Sequence, residues 1–187
     1  MWIGEAYLKE AIMSSNWYVI QVERRKEEEI ATICRKQIAS DILIDSFVPK
    51  YKRLRKYQGK WHQEEAILFS GYVFLISDYI NDVFQELKKI PDLTKLLGNF
   101  GDYISSLYEE EVSFLQTFSK DYVVDISSGY IEGDSIIIID GPLIGYEGRI
   151  KRIDRHKRLA YLEVKMFDQI TLVKVGLEVV SRNKDKI

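Results

Sequence analysis

The C-terminal part of the chain contains four short segments typical of β-strands, with turn residues between them and no helical stretch. These segments are DSIIIID, GRIKRID, RLAYLEVKMF and QITLVKV, within residues 134–175. A unit of roughly fifty residues that is built only of short strands hides its strand edges by closing on itself. The pattern therefore predicts a small β-barrel, and side chains that alternate with a period near two favour a permanent β structure.

The preceding segments alternate between strand and helix patterns. Residues 17–22 (WYVIQV) have the composition of a buried strand, and residues 23–39 repeat apolar side chains at helical spacing. Two apolar runs around a basic middle predict a long β-hairpin with its tip near Gln58 and Gly59 and a return strand over residues 66–76. A second helix is expected over residues 81–89. This order predicts an α+β layer, one sheet backed by helices.

Two local patterns between residues 106 and 130 predict the start of a helix and a linker. Ser106 with Glu109 three residues later predicts a capping box at the start of a third helix. The small and polar stretch that follows, with Ser127, Ser128 and Gly129 in a row, is typical of a short linker.

Composition limits the classes of protein that the chain can belong to. The 187 residues include 46% hydrophobic ones, which is enough for a core, and the formal net charge of -2 gives the whole molecule no attraction to polyanions. The single cysteine, Cys34, falls on an apolar helical stripe and is expected to be a packed core thiol. Without a signal-peptide pattern or a membrane-length apolar run, we expect a cytoplasmic protein that does not bind membranes.

The glycines of IDGPLIGYEGRI do not form a nucleotide-binding loop. Gly141, Gly145 and Gly148 lack the spacing of a phosphate loop or a dinucleotide fingerprint, and the residues after them alternate like a strand instead of opening a helix. We therefore expect these glycines at turn and bulge positions.

Several of these segments together resemble the NusG-like family of transcription factors. EGDSIIIIDGPLIGYEGRIKRID matches the family's KOW motif, and VKMFDQITLVKVGLEVV resembles the closing strands of the same domain. Upstream, WYVIQV, VPKYK and LFSGYVFL are similar in order and spacing to the family's N-terminal NGN domain. One departure is Phe69-Ser70-Gly71-Tyr72, where the family usually has Phe-Pro-Gly-Tyr.

The resemblance implies an α+β NGN domain, an antiparallel sheet with flanking helices, followed by a small β-barrel KOW domain. It divides the chain into an extension (1–16), the NGN domain (17–119), a linker (120–130), the KOW domain (131–182) and a tail (183–187). The extension has no usual counterpart in the family.

Within the family, the basic segment KRIDRHKRLAYLEV is most similar to the specialised antitermination paralog LoaP. That resemblance implies a processive antitermination factor whose NGN domain binds the clamp helices of RNA polymerase and which is recruited by a hairpin in the nascent RNA. The family's polymerase-contacting element falls on Phe69, Tyr72 and Phe74. The alternative is a general NusG-type elongation and pausing factor without RNA sequence preference.

Two basic clusters stand out from the near-neutral total. Positive charge interleaved with aromatic residues is what binding of a nucleic acid requires, whereas the ordinary alternative is a solvated charged face. We assign the C-terminal cluster to the RNA hairpin and the hairpin-tip cluster to upstream or non-template DNA. The predicted RNA-binding residues are Arg149, Lys151, Arg152, Arg155, His156, Lys157 and Arg158, and the predicted DNA contacts are Lys50, Lys52, Arg53, Arg55, Lys56 and Lys60.

The sequence shows no pattern of an enzyme. No nucleophile and base pair, metal-ligand spacing or phosphate loop is present, so we expect no catalytic residue, no metal and no cofactor. We expect a monomer. A ribosome-associated module is a further alternative, since KOW elements also occur in ribosomal proteins. Coupling to the ribosome or to Rho is in doubt because the family's Phe-Gly-Arg turn is replaced by Phe167-Asp168-Gln169.

Overall fold

The computed structural model describes residues 10–12, 14–89 and 104–181. Within this part, the chain forms two compact units, each made of two stretches: residues up to Val48 with Phe69–Val112, and Pro49–Leu68 with the residues from Ser113 onward. The hairpin segment 49–68 thus belongs to the second unit by its contacts. The domain boundaries expected from the sequence stay predictions, and most of the extension and the tail lie outside the described residues.

The first unit contains an antiparallel sheet and two helices. The strand order is β2-β5-β1-β6, and β1 lies in the centre with partners on both sides. The strands are β1 (Trp17–Gln21), β2 (Asp45–Phe47), β5 (Tyr72–Ile76) and β6 (Ile104–Ser106), and the helices are α1 (Glu27–Gln37) and α2 (Ile80–Lys88).

Helix α1 begins four residues later than its apolar spacing predicts. Arg25 adopts a left-handed conformation with φ 76°. A right-handed α-helix cannot include a residue in this conformation, so the helix begins only after Arg25. From Glu27 onward, the helix buries Ile30, Ala31 and Cys34. Its exposed face carries the charges, as the amphipathic pattern requires.

The predicted return strand over residues 66–76 is wrong as a single strand. The chain leaves one sheet at Ile67 and enters another at Tyr72, and between them Gly71 has φ +89°. The buried carboxylate of Glu27 holds this break, because its Oε1 accepts hydrogen bonds from the Gly71 N–H at 2.7 Å and the Ser70 hydroxyl at 3.3 Å. An apolar run therefore does not by itself show where a strand changes sheet.

Helix α3 (Glu109–Phe118) uses a different cap from the predicted Ser106 and Glu109. Ser106 lies in β6, and the Tyr108 N–H donates to Glu111 Oε2 at 2.9 Å. The acid that closes the first turn is thus Glu111, because Ser106 still belongs to the strand and the helix begins only at Glu109.

The second unit contains two sheets. One has the order β4-β3-β7, and the other has the order β10-β11-β12-β8-β9, in which β12 and β8 run parallel and the other pairs antiparallel. The strands are β3 (Lys50–Tyr57), β4 (Lys60–Ile67), β7 (Val123–Val124), β8 (Ser127–Glu132), β9 (Ser135–Asp140), β10 (Ile150–Asp154), β11 (Leu159–Met166) and β12 (Gln169–Val179).

The five-stranded sheet forms a strand-rich half-barrel. In β11, Ala160, Leu162, Val164 and Met166 are buried and the residues between them face outward, so the predicted period of two is confirmed. The α+β fold class with a C-terminal β unit is likewise confirmed.

Residues 127–130, predicted as linker, form the start of β8. Ser127 is fully buried, and its hydroxyl accepts a hydrogen bond from the Leu143 N–H at 3.0 Å. Gly141, at φ +95°, lies so close that an added Cβ would be 2.6 Å from Ser127 Cα. The small residues in this stretch thus serve close packing, which composition alone does not distinguish from flexibility.

None of the helices in the described ranges is long and apolar enough to cross a lipid bilayer.

Cys34 is expected to be unreactive in the folded protein. Burial raises the pKa of its thiol from about 9 to about 12, so at pH 8 the nucleophilic thiolate is about a thousandfold rarer than in the unfolded chain. A thiol reagent at pH 8 should label the protein only after denaturant is added, and labelling at the unfolded rate in native buffer would contradict this burial.

The raised pKa of Cys34 also predicts that the free energy of unfolding depends on pH. Because the folded pKa is raised, the contribution of Cys34 to stability is fully present below about pH 9 and is lost as the pH rises towards about 12. A Cys34→Ala variant should show a shallower loss of unfolding free energy over this alkaline range than the wild type.

Candidate nucleic-acid interface

The β3–β4 hairpin carries the first basic cluster. Its register runs from Lys50 opposite Ile67 to Tyr57 opposite Lys60, and the two tip residues, Gln58 and Gly59, have φ angles of 50° and 75°. Two successive left-handed residues match the tight turn that suits the twist of a hairpin. The predicted hairpin and its tip are confirmed.

The hairpin lies against the half-barrel at Gly176 in β12. A Cβ added to Gly176 would be 2.5 Å from the backbone oxygen of Lys52 and 2.9 Å from Cγ1 of Ile126. The base of β3 also pairs with β7. Next to this pair, the Lys50 N–H donates to the backbone carbonyl oxygen of Tyr122 at 2.9 Å. The absence of a side chain at Gly176 therefore lets the two basic clusters approach each other.

Between the hairpin and the half-barrel lies a groove of about 540 Å³, which we call the basic groove. Among the described residues that line it, none carries a carboxylate. Its lining includes Arg55, Lys56 and Trp61 from the hairpin and His156, Tyr161 and Lys174 from the half-barrel. Cations that the sequence placed in two separate clusters thus line one groove within the second unit.

A row of alternating cations and an aromatic ring crosses three strands beside the groove. Arg152 in β10 pairs with Tyr161 in β11, which pairs with Lys174 in β12. The Arg152 guanidinium lies 3.8 Å from the centre of the Tyr161 ring, and the Lys174 Nζ lies 6.0 Å from it. Tyr161 and Lys174 were not predicted as site residues, because only the strand register places them beside Arg152.

Many cations of both clusters are paired with carboxylates, which weakens their attraction for a polyanion. Glu64 and Glu65 on the return strand of the hairpin supply acids that the KYKRLRKYQGKWH segment itself lacks. The pairs are Arg53 and Arg55 with Glu64 (3.2 and 3.9 Å), Lys50 with Glu65 (3.8 Å), Lys52 with Asp125 (3.1 Å), Lys151 with Glu163 (3.3 Å), Lys157 with Asp154 (3.8 Å) and Arg158 with Glu178 (2.6 Å).

The remaining cations have no ion pair with another described residue. Since they keep their full charge for a ligand, they are the cations of this region that attract a polyanion most strongly. From the two clusters they are Lys56, Lys60, Arg149, Arg152 and Arg155, and Lys174 of β12 joins them. Arg149 lies 5.6 Å from the ring centre of Tyr146.

Two shifted pKa values report the local environment of the hairpin base. The Ile126 N–H, with Lys52 beside it, lowers the pKa of Asp125, so this acid stays ionised. Burial raises the pKa of Tyr51, and the neighbouring Tyr161 hydroxyl acts in the same direction. Tyr51 is therefore neutral at physiological pH.

Of the two histidines of the second unit, His156 is exposed and His62 is half-buried, with its Nε2 shielded from solvent. His62 stacks on Tyr57, with their ring centres 3.6 Å apart, and His156 lines the basic groove. Within the described ranges, no cluster of histidine, cysteine and acidic side chains has the arrangement of a metal site.

The residues predicted to contact polymerase do not all reach the surface. Phe69 and Phe74 are 3% and 0% exposed, and they belong to a buried aromatic cluster with Phe47 and Trp17. These two side chains therefore stabilise the core, which corrects their predicted role as direct anchors. Tyr72 is half-buried and is the first residue of β5, opposite Gln21 in β1.

Comparisons with known proteins find a matching family model and similar sequences. The family model described as transcription termination factor nusG matches residues 15–116. The chain is similar to the transcription termination/antitermination protein NusG of Rickettsia felis, with 24% identity over 89% of this chain and 90% of the relative. The NusG of Lactococcus lactis is 25% identical over 86% of this chain and 89% of that protein.

A solved structure described as domain interaction in Thermotoga maritima NusG is 20% identical, with a TM-score of 0.48, over 88% of this chain and 95% of that one. The matching family model identifies a transcription factor of the termination and antitermination class, which is not an enzyme. The chain belongs to the NusG family.

Gly176→Ala should destabilise the second unit by about 1–3 kcal/mol, since the new Cβ must displace the Lys52 backbone. Denaturant unfolding measures this loss. Gly148→Ala is the matched control, because no atom lies within 4 Å of its added Cβ, and its effect should stay within about 0.5 kcal/mol. Equal effects of the two variants would contradict the close approach at Gly176.

Proposed function

We propose that this chain is a processive transcription antitermination factor that binds the clamp helices of RNA polymerase through its NGN domain and a hairpin of the nascent RNA through the basic residues of its KOW domain. Membership of the NusG family supports the action on transcription. The LoaP-like basic segment supports the specialised role over a general one. The domain boundaries expected from the resemblance, 17–119 and 131–182, are part of this proposal.

The observation that carries the RNA part is the row of Arg152, Tyr161 and Lys174 beside the basic groove. Unpaired cations supply sequence-independent attraction to phosphates. A guanidinium and an aromatic ring add planar surfaces that recognise the edges and faces of unpaired bases. The alternative, a face of solvated charges without a ligand, does not require a cation, an aromatic ring and a second cation side by side on three strands.

Arg152→Ala/Arg155→Ala should weaken binding of the RNA hairpin about tenfold or more, because both cations lack an ion pair in the described structure. The slope of log affinity against log salt should fall by about 2, one unit for each lost phosphate contact. Fluorescence anisotropy with a leader hairpin from the operon beside the gene measures both quantities.

Lys151→Ala/Lys157→Ala is the matched control, since it removes the same charge from the same cluster. Both lysines are paired, with Glu163 and Asp154, so the loss of affinity should be smaller. Equal losses from the two double variants would show that the RNA contacts are elsewhere.

Tyr72 is the remaining surface candidate for contact with polymerase. Tyr72→Ala should lower the affinity for core RNA polymerase about tenfold or more, as the loss of an aromatic anchor at an interface does. The control is Tyr79→Ala, a tyrosine of the same unit that is 58% exposed. Immobilised polymerase that retains wild type and Tyr72→Ala equally would exclude this contact.

A general NusG-type elongation and pausing factor is the second candidate. It is favoured by the similar relatives, whose names state termination and antitermination without an RNA target. Such a factor would bind the leader hairpin and a scrambled RNA of equal length with the same affinity at every salt concentration. Upstream or non-template DNA stays a proposed partner of the hairpin-tip cations.

A further inference from the structure

We infer that the basic groove binds unpaired nucleotides of RNA, with Trp61 and Tyr161 as the surfaces on which their bases stack. This inference rests on the proposed RNA-binding function and extends it to the hairpin of the second unit. It assigns Lys56 and Trp61 to RNA, together with the cations of β10 and β12.

Trp61 has the exposure and the neighbours of a stacking platform. Its side chain is 37% exposed, although it is the largest apolar side chain of the hairpin. The Arg158 guanidinium lies 4.0 Å from the ring centre, and Arg158 is itself fixed by Glu178 at 2.6 Å. Arg158 therefore orients the ring closely, the Lys56 Nζ lies farther away at 6.0 Å from its centre, and the exposed part of the ring is accessible to a base.

Tyr161 provides a second ring within the same groove. Arg152 covers it at 3.8 Å, as Arg158 covers Trp61. Two aromatic rings, each oriented by an arginine, form an arrangement that proteins use to bind single-stranded nucleic acid without a paired helix. A base-paired duplex offers no free base faces to such rings.

Charges are distributed on both sides of Trp61. Trp61 and His156 line the basic groove and also a neighbouring hollow that contains Arg155 and Arg158. Lys56 and Lys174 lie on the groove side. A strand whose base stacks on Trp61 would therefore place its phosphates near cations before and after that base.

The size of the groove fits this ligand. Its volume of about 540 Å³ falls within the range of about 300–1,000 Å³ that holds small organic groups. The described lining carries no carboxylate that would repel a phosphate.

The test compares three probes of equal length: an oligouridylate, an RNA duplex and single-stranded DNA of the same sequence as the unpaired RNA. Trp61→Ala should weaken oligouridylate binding about five- to hundredfold, the effect of one lost stacking contact, with the salt slope unchanged. Lys174→Ala should lower the salt slope by about 1. Duplex binding should be the same in Trp61→Ala and wild type.

The control variant is Tyr57→Ala on the same hairpin. Tyr57 is 44% exposed, but it pairs with Lys60 on the face opposite the pair of Lys56 and Trp61. Its removal should leave oligouridylate affinity unchanged. Trp61→Phe should restore most of the affinity lost in Trp61→Ala, and unchanged thermal unfolding shows that each variant folds.

Two outcomes separate this inference from the proposed function. If the leader hairpin binds specifically but Trp61→Ala and Tyr161→Ala leave its affinity unchanged, the stacking groove is wrong and the RNA function stands. If the wild type binds no RNA, the stacking groove and the proposed RNA-binding function are both wrong. Tighter binding of single-stranded DNA than of RNA, or equal losses of duplex and unpaired probes in Trp61→Ala, would also overturn the groove.

Discussion

The close approach of β3 to β12 at Gly176 is the constraint on which the functional surface depends. Only a residue without a side chain allows the Lys52 carbonyl to lie where a Cβ would be 2.5 Å away. This contact places a hairpin from the middle of the sequence on a half-barrel from its end. Trp61 can therefore contact Arg158, and cations from β3, from β12 and from the turn between β10 and β11 line one groove.

Pairing with carboxylates decides which cations of the two clusters keep their charge for binding a nucleic acid. The basic segments were recognised from the sequence as KYKRLRKYQGKWH and RIKRIDRHKR. The register of β3 with β4 then brings Glu64 opposite Arg53, and other acids neutralise further members of each cluster. Attraction for a polyanion then rests on the cations that have no carboxylate partner among the described residues, such as Lys56 and Arg152.

Periodicity predicted most helices and strands because local side-chain patterns determine them. It failed at Gly71, where a buried carboxylate decides the path of the chain, and composition failed at Ser127, where a close backbone contact does. It also could not distinguish a buried aromatic cluster from an exposed one: Phe69 and Phe74 have the composition of an interface, but their rings pack in the core. Burial depends on what covers a strand, and a local pattern does not contain that information.

The amino-acid sequence by itself determined the family resemblance, the α+β and β composition of the two parts, the β3–β4 hairpin with its two-residue tip, and the presence of two basic segments. Each of these depends on residues that are near each other along the chain. The tertiary structure alone decided that the two basic segments share a groove, that Tyr161 and Lys174 belong to it, and that Tyr72 is the candidate contact left near the surface. These properties depend on residues far apart in sequence, whose distances are set only when strands pair and layers pack.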